Sequence, residues 1–265
     1  MAKIRLDVYL TENGLAPSRT AAQAMIMAGD VYINNQKALK AGETLKGDEN
    51  IEVRGKAQKF VSRGGRKLEK ALGVFPINLE GSVCMDIGAS TGGFTDCMLQ
   101  SGAMRVFAID VGYGQLAWKL RQDERVVNME RTNVRYLEAE KLDAVPTFFS
   151  VDVSFISLKL VLPVAHKVLA DGGMGVCLIK PQFEAGREKI GKKGVVREKS
   201  THIEVIETVL EFTKEIGFSV QGLDFSPIRG PEGNIEYLMF VEKSSKESLD
   251  FDVAELVEKS HNSAL

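Results

Sequence analysis

Two groups of residues in this chain could do chemistry: a glycine loop bounded by acids, and lysines and carboxylates scattered far apart. The loop reads Asp86-Ile87-Gly88-Ala89-Ser90-Thr91-Gly92-Gly93-Phe94, and a second apolar run after it ends on Asp110 and Val111. Apolar run, glycine turn, helix-like segment, apolar run and acid is the sequence form of a nucleoside-binding βαβ unit. The acid ahead of the first glycine and the spacing from Gly88 to Gly92 do not fit a dinucleotide fingerprint. Nor does the lysine and hydroxyl ending of a phosphate loop follow. They fit a loop for S-adenosylmethionine, which has no pyrophosphate to cradle. Backbone at the turn can reach the methionine moiety, Asp86 can contact its charged amino group, and Asp110 can accept both ribose hydroxyls. Asn133, after Val126-Val127, is a candidate adenine contact and Phe155 a candidate apolar wall. The candidate cofactor contacts are therefore Asp86, Gly88 to Phe94, Asp110, Val111, Asn133 and Phe155.

Four charged residues stand at places where a catalytic edge would be. In open α/β sheets the ligand lies beyond the carboxyl ends of the parallel strands. Asp152 closes the Phe148 run and Lys180 the Met174 run, so both face that edge. If the last strand is antiparallel, its start near Glu236 faces the same edge, and Lys67 opens the helix leading into the first strand. Each alone has an ordinary reading as a strand-end or linker charge; the four together define a cluster beside the cofactor.

The elements that must position these groups follow from the hydrophobic pattern. Runs at Val83, Val106 to Ile109, Val126-Val127, Phe148 to Val151 and Met174 to Ile179 alternate with helical segments, as in a doubly wound sheet. His202 to Ile216 is an expected helix, with Ile203, Ile206, Leu210 and Thr213 on one face. Val220 to Phe225 and Tyr237 to Val241 are expected terminal strands around a loop from Pro227 to Asn234. The fold class is α/β: a Rossmann-like methyltransferase sheet, mostly parallel with an antiparallel terminal strand, preceded by a small α+β domain. The expected divisions are residues 1–59, 60–242 and a charged, serine-rich tail, loose or briefly helical, over 243–265.

In the first division, Leu6 and Leu10 share a helical face, and Ser18 can cap a helix from Arg19 to Met27. Val31-Tyr32-Ile33 and Ile51-Glu52-Val53 read as strands, the first running into an Asn34-Asn35 turn. Arg54, Lys56, Lys59, Arg63, Arg66, Lys67 and Lys70 then form a positive run interrupted only by Glu69, where a phosphate backbone could pass. Ser62 could cap the following helix, and Gly64-Gly65 lets its start approach another backbone or a phosphate.

Composition bounds the rest. At 265 residues the chain suits one large domain or two unequal ones, and 44% hydrophobic with 26% charged residues is ordinary for a globular protein. A net charge of -2 makes any nucleic-acid surface local. Cys84, Cys97 and Cys177 have no CxxC spacing and no histidine companions, so buried thiols are expected. No apolar stretch of 18 residues and no signal peptide is present, so the expected location is the cytoplasm, without a membrane.

The segments RLDVYL, SRTAAQAMIMAGDVYINN and GDENIEV resemble the small RNA-binding domain named after ribosomal protein S-four. That resemblance implies that Arg5, Ser18, Arg19 and Lys37 lie near an RNA-facing surface. The family usually has Asn-Gly where Asn34-Asn35 stands, a change the turn should tolerate. From about Lys3 to Val241 the chain resembles the TlyA group of ribosomal RNA 2′-O-methyltransferases, often labelled haemolysins. Its second domain is similar to the FtsJ family, which uses a Lys-Asp-Lys-Glu tetrad. Carried over by motif, the tetrad is Lys67 in SRGGRKL, Asp152 in VDVSFISL, Lys180 in LIKPQFE and Glu236 in GNIEYL.

The resemblance implies methyl transfer from S-adenosylmethionine to a ribose hydroxyl, with ribosomal RNA or a ribosomal subunit as partner, cytidine as the nucleotide, and no metal. Lys180 is expected nearest the hydroxyl. Lys67 and desolvation would lower its pKa while Asp152 and Glu236 would raise it, so a neutral base and a charged orienting group both stay open. Competing readings are a non-catalytic RNA-binding or ribosome-assembly factor, a membrane-active haemolysin, and an NAD oxidoreductase that the loop spacing disfavours.

Overall fold

Ser18 opens the helix over residues 19–27: its Oγ accepts from the Ala21 N–H at 3.2 Å, as a capping serine should. In the computed structural model, which describes residues 4–27, 29–47, 49–53, 59–191 and 194–263, the chain divides into two units, Met1–Lys59 and Phe60–Leu265. The first unit contains β1 (Ile4–Arg5), α1 (Leu6–Glu12), α2 (Arg19–Met27), β2 (Val31–Ile33), β3 (Gln36–Lys37), β4 (Thr44–Leu45) and β5 (Ile51–Val53). β2 pairs antiparallel with β3 and β5, and β1 with β4. Asn34 and Asn35 both take positive φ, 49° and 68°, the backbone of a two-residue hairpin turn that asparagine adopts at low cost. Leu6, Leu10, Ala22, Ile26 and Val31 make a small core.

The second unit contains α3 (Gly65–Val74), β6 (Val83–Ile87), α4 (Gly93–Gln100), β7 (Arg105–Ile109), α5 (Trp118–Arg121), β8 (Val126–Met129), β9 (Phe148–Val151) and α6 (Leu162–Val168). β10 (Met174–Ile179), α7 (Pro181–Glu184), α8 (Lys199–Glu215), β11 (Ser219–Phe225), β12 (Tyr237–Glu242) and α9 (Val253–Asn262) complete it. The strand order is β11-β12-β10-β9-β6-β7-β8, and β12 runs antiparallel to both neighbours while the others pair in parallel. Strand alternation splits the core into two layers. Met85, Phe107 and Phe149 face the side covered by α6 and α8, while Cys84, Val106 and Phe148 face α3 and α4. The three cysteines are buried and form no disulfide with one another.

Two local expectations change. α8 starts at Lys199, ahead of the expected His202, because His202 is a fully buried member of its inner face. Its ring receives a hydrogen bond from the Tyr237 hydroxyl at 2.8 Å and donates from Nε2 to the Val196 carbonyl at 3.0 Å. Ser62 does not cap α3, whose N-cap is Gly64 with no side-chain cap. Past Glu242, of the two expected forms, a loose tail or a short helix, the chain takes the helix α9, capped by Asp252 and seated through buried Val253 and Val257. Among the described residues no helix is long and apolar enough to cross a membrane.

Candidate active site

The ends of β9 and β10 and the start of β12 meet at one edge, which follows from the antiparallel register that puts Tyr237 opposite Ile179. Asp152, Lys180 and Glu236 are the residues next to these strand ends, and α3 brings Lys67 among them. The ammonium of Lys67 lies 2.7 Å from Glu236 Oε2 and 3.2 Å from Asp152 Oδ2. The ammonium of Lys180 lies 2.5 Å from Asp152 Oδ1 and 3.3 Å from Ser154 Oγ. The four therefore form an alternating row, Glu236–Lys67–Asp152–Lys180. Side-chain exposure is 1% at Glu236, 9% at Lys67, 18% at Asp152 and 8% at Lys180.

Such a row survives burial only because each charge has an opposite neighbour. Burial disfavours the Lys67 ammonium, but Asp152 and Glu236 outweigh it and hold its pKa above the ordinary lysine value. Burial likewise opposes the Asp152 carboxylate, and Lys67 and Lys180 outweigh it, so its pKa is held below the ordinary range. Both groups are charged at neutral pH.

A close contact of backbones places Lys67. A Cβ on Gly65 would lie 2.7 Å from the Gly93 carbonyl and 2.4 Å from the Phe60 ring, so the first turns of α3 and α4 touch directly. Of the two partners open to Gly64-Gly65, a backbone or a phosphate, the structure supplies the backbone. Asp96 on α4 ties down the approach to α3 by accepting from the Val61 N–H at 2.8 Å and pairing with Lys119 at 2.9 Å.

The glycine loop follows β6 at the same edge. Gly88 has φ +84°, and a Cβ there would lie 2.7 Å from the Asp152 carbonyl, so only glycine lets the loop pass the tetrad strand. Asp110 ends β7 and accepts from the Ser90 N–H and the Gly112 N–H, both at 2.7 Å. Ser90 and Thr91 are exposed, and Val111 is 72% exposed although apolar. Asn133 also lies past a strand at this edge, and its Oδ1 accepts from the Arg135 N–H.

Three expected cofactor contacts stand elsewhere. Asp86 is completely buried and accepts from Thr95 N–H and Oγ1 and from Ser150 Oγ, so its carboxylate fastens α4 and β9 to β6 instead of facing a ligand. Burial raises its pKa to about 6 against those hydrogen bonds. The Phe94 side chain is core. Phe155, 91% exposed at φ +63°, packs on Phe183 with ring centroids 5.0 Å apart, and Phe183 follows Lys180 on α7. It thus stands at the β9–β10 end of the edge, across β6 from Asp110.

Among the expected RNA contacts, Arg5 and Arg19 converge on Asp7 at 3.0 and 3.2 Å. Asp7 is fully buried, and Arg5 leads the hydrogen bonds that hold its pKa far below the carboxylate range against burial. Ser18 acts as a cap, Lys37 is exposed on β3, and Lys59, Arg63 and Arg66 are exposed. Arg54 and Lys56 lie outside the described residues. Lys70 leaves the positive run to pair with Asp224 at 2.9 Å. Asp7, Thr95, Ser150, Ser154 and Asp96 were not singled out from sequence; each is a short polar residue with at least one partner on another element.

Comparison with known proteins agrees with this geometry. Residues 60–243 match the FtsJ-like methyltransferase family and residues 4–51 the S4 domain. A Bacillus subtilis protein named "Putative rRNA methyltransferase YqxC" is 49% identical over 98% of this chain and 94% of its own length. The Mycobacterium tuberculosis 16S/23S rRNA (cytidine-2′-O)-methyltransferase TlyA is 40% identical over 93% of this chain and 92% of its own. A solved structure from Streptococcus thermophilus, described as a "putative hemolysin", superposes with a TM-score of 0.78 at 50% identity, covering 98% of this chain and 96% of that one. With its tetrad assembled at the strand edge beside a glycine loop, and an S4 domain ahead of it, the chain belongs to the FtsJ-like methyltransferase family, in its TlyA group.

Proposed function

We propose that this protein transfers a methyl group from S-adenosylmethionine to the 2′-hydroxyl of a ribose in ribosomal RNA, acting in the cytoplasm on the RNA or a ribosomal subunit. The observation that carries the reading is the closed row Glu236–Lys67–Asp152–Lys180 beside the glycine loop. Cytidine as the acceptor is taken from the substrate named for the M. tuberculosis relative.

The donor set beside the loop suits a nucleoside without a diphosphate. Asp110 offers carboxylate oxygens for ribose hydroxyls, Val111 offers an exposed apolar surface for a base, and no lysine closes the loop. Gly88 to Gly93, Asp110, Val111 and Asn133 would hold the cofactor. When bound there, S-adenosylmethionine supplies an electrophilic methyl group on a sulfonium.

The chain's own work is to hold the hydroxyl in line and manage its proton. Lys180, at the end of the row, is assigned the contact to the hydroxyl. Asp152 orients Lys180, Lys67 fixes Asp152, and Glu236 fixes Lys67. A neutral Lys180 accepts the proton as the bond forms; a charged Lys180 fixes the oxygen while water takes the proton. The test is to map ribose methylation on ribosomal RNA treated with the protein and S-adenosylmethionine. Lys180→Ala should lower the single-turnover rate by about 10²–10⁴ and leave cofactor binding nearly intact. A near-normal rate in that variant removes the assignment, and no ribose methylation by the wild type removes the function.

A further inference from the structure

The loop that carries Glu236 has a second face. There a cavity of about 390 Å³ lies among residues 195–197, residues 229–235 and His261 of α9, and its charged or titratable wall is Arg197, Arg229, Glu232 and His261. Arg229 gives one N–H to the Gly233 carbonyl at 3.2 Å. Neither arginine has a carboxylate within ion-pair distance among the described residues, whereas Lys189 and Lys199 nearby in sequence are paired with Glu204 and Glu258. The Nε2 of His261 is buried with no hydrogen-bond partner among the described residues. Its pKa is lowered by burial and then by Lys199 and Arg229, against Glu258. Glu232, the carboxylate of this wall, is exposed to solvent.

The wall is held in shape from behind. Asn234 is buried, donates to the Gly194 carbonyl at 2.9 Å and accepts from the Val196 N–H at 3.0 Å, clasping the two loops together. His202 links Val196 to Tyr237, whose hydroxyl reaches Ser260 on α9. Two arginines on the wall of a preformed hollow suit a tetrahedral oxyanion, because guanidinium N–H pairs match phosphate oxygens.

We propose that this cavity binds a phosphate group through Arg197 and Arg229, beside the ring of His261, and that the phosphate belongs to the backbone of the RNA whose ribose is presented to Lys180. The second half rests on the function proposed above. Two features favour a backbone phosphate over a free phosphate ester. Gly230, next to Arg229, packs so tightly that a Cβ would lie 2.8 Å from Glu236 Oε1, which ties the site directly to the catalytic row. The cavity wall also contains no Phe, Tyr or Trp on which the base of a free nucleotide would stack.

The experiment uses the full chain, with Arg197→Gln, and Arg197→Gln combined with Arg229→Gln, compared with wild type. In one arm inorganic phosphate is titrated while the His261 ring resonances, identified through His261→Gln, are followed by NMR. Saturable shifts in the wild type that vanish in the double variant are expected, and this readout does not depend on methyl transfer. In the other arm RNA affinity is measured against salt. The double variant should bind RNA about tenfold more weakly with a log–log salt slope lower by about one, at unchanged S-adenosylmethionine affinity. Arg197 is exposed, so Arg197→Gln gives a smaller change of the same kind if the double variant fails to fold. Phosphate binding with unaltered RNA affinity and slope would overturn the RNA source and leave a free phosphate ester. No phosphate response and no RNA effect would overturn the site. Absence of methylation by the wild type would overturn the proposed function but leave the phosphate arm readable.

Discussion

Asp86 occupies the position where a ligand-facing acid was expected, yet it works as an internal fastener. Its folded pKa of about 6 lies above the ordinary 3.8, so its stabilising contribution is full below 3.8 and is lost as pH rises through 6. Asparagine can keep the contacts, with Oδ1 accepting from Thr95 and the amide nitrogen donating to Ser150 Oγ. Asp86→Asn should therefore gain about 3 kcal/mol over wild type between pH 4 and pH 7, measured by urea unfolding at both values. An equal difference at the two pH values would mean that Asp86 does not titrate there. Phe155 is relocated in a similar way, from an adenine wall to the Lys180 side of the edge. An exposed ring held at positive φ is strained and stands where an acceptor nucleotide would lie. Phe155→Ala is expected to raise KM for RNA about tenfold with the S-adenosylmethionine Kd unchanged. Weaker cofactor binding with unchanged KM for RNA would return Phe155 to the adenine side.

Helix α3 positions Lys67, and its two inner glycines have opposite reasons to be there. At Gly65 a side chain would enter the Gly93 backbone and the Phe60 ring, while at Gly73 nothing lies within 4 Å. Gly65→Ala should destabilise by about 1–3 kcal/mol and lower kcat by shifting Lys67. Gly73→Ala should stabilise by about 0.5–1 kcal/mol with kcat unchanged. Thermal unfolding and single-turnover assays on the pair separate packing from helix propensity, and equal effects of the two changes would refute the contact. Elements of this kind were legible where an apolar run ended on a charge. Asp152, Lys180 and Glu236 were placed at one edge because strand ends in a doubly wound sheet share it. What stayed hidden was lateral order: sequence spacing does not say that β9 and β10 lie across β6 from β7, and so does not tell that Phe155 stands across β6 from Asp110. Asp86 was hidden for a related reason, since Thr95 and Ser150 reach it from an adjacent helix and a distant strand.

For the whole molecule, a net charge of -2 leaves no general attraction for RNA, so affinity must come from local surfaces. The first unit has its own core, and Asp7 holds Arg5 and Arg19 in fixed positions within it. The second unit carries the tetrad and the glycine loop entirely within Phe60–Leu265. A cut between them must leave the start of the second unit intact. Phe60 is buried against Gly65, and the Val61 N–H is held by Asp96, so a truncation must keep both. Removing residues 1–59 should then leave a cooperatively folding protein with wild-type S-adenosylmethionine affinity by calorimetry. Its affinity for ribosomal RNA should fall by about 10²-fold, with a shallower salt dependence because phosphate-contacting cations are lost. Arg63 and Arg66 remain in the truncated chain, so residual, salt-sensitive binding is expected rather than none. If RNA affinity is unchanged while the cofactor still binds, the first unit reads something other than RNA, and acceptor choice lies wholly with the methyltransferase edge.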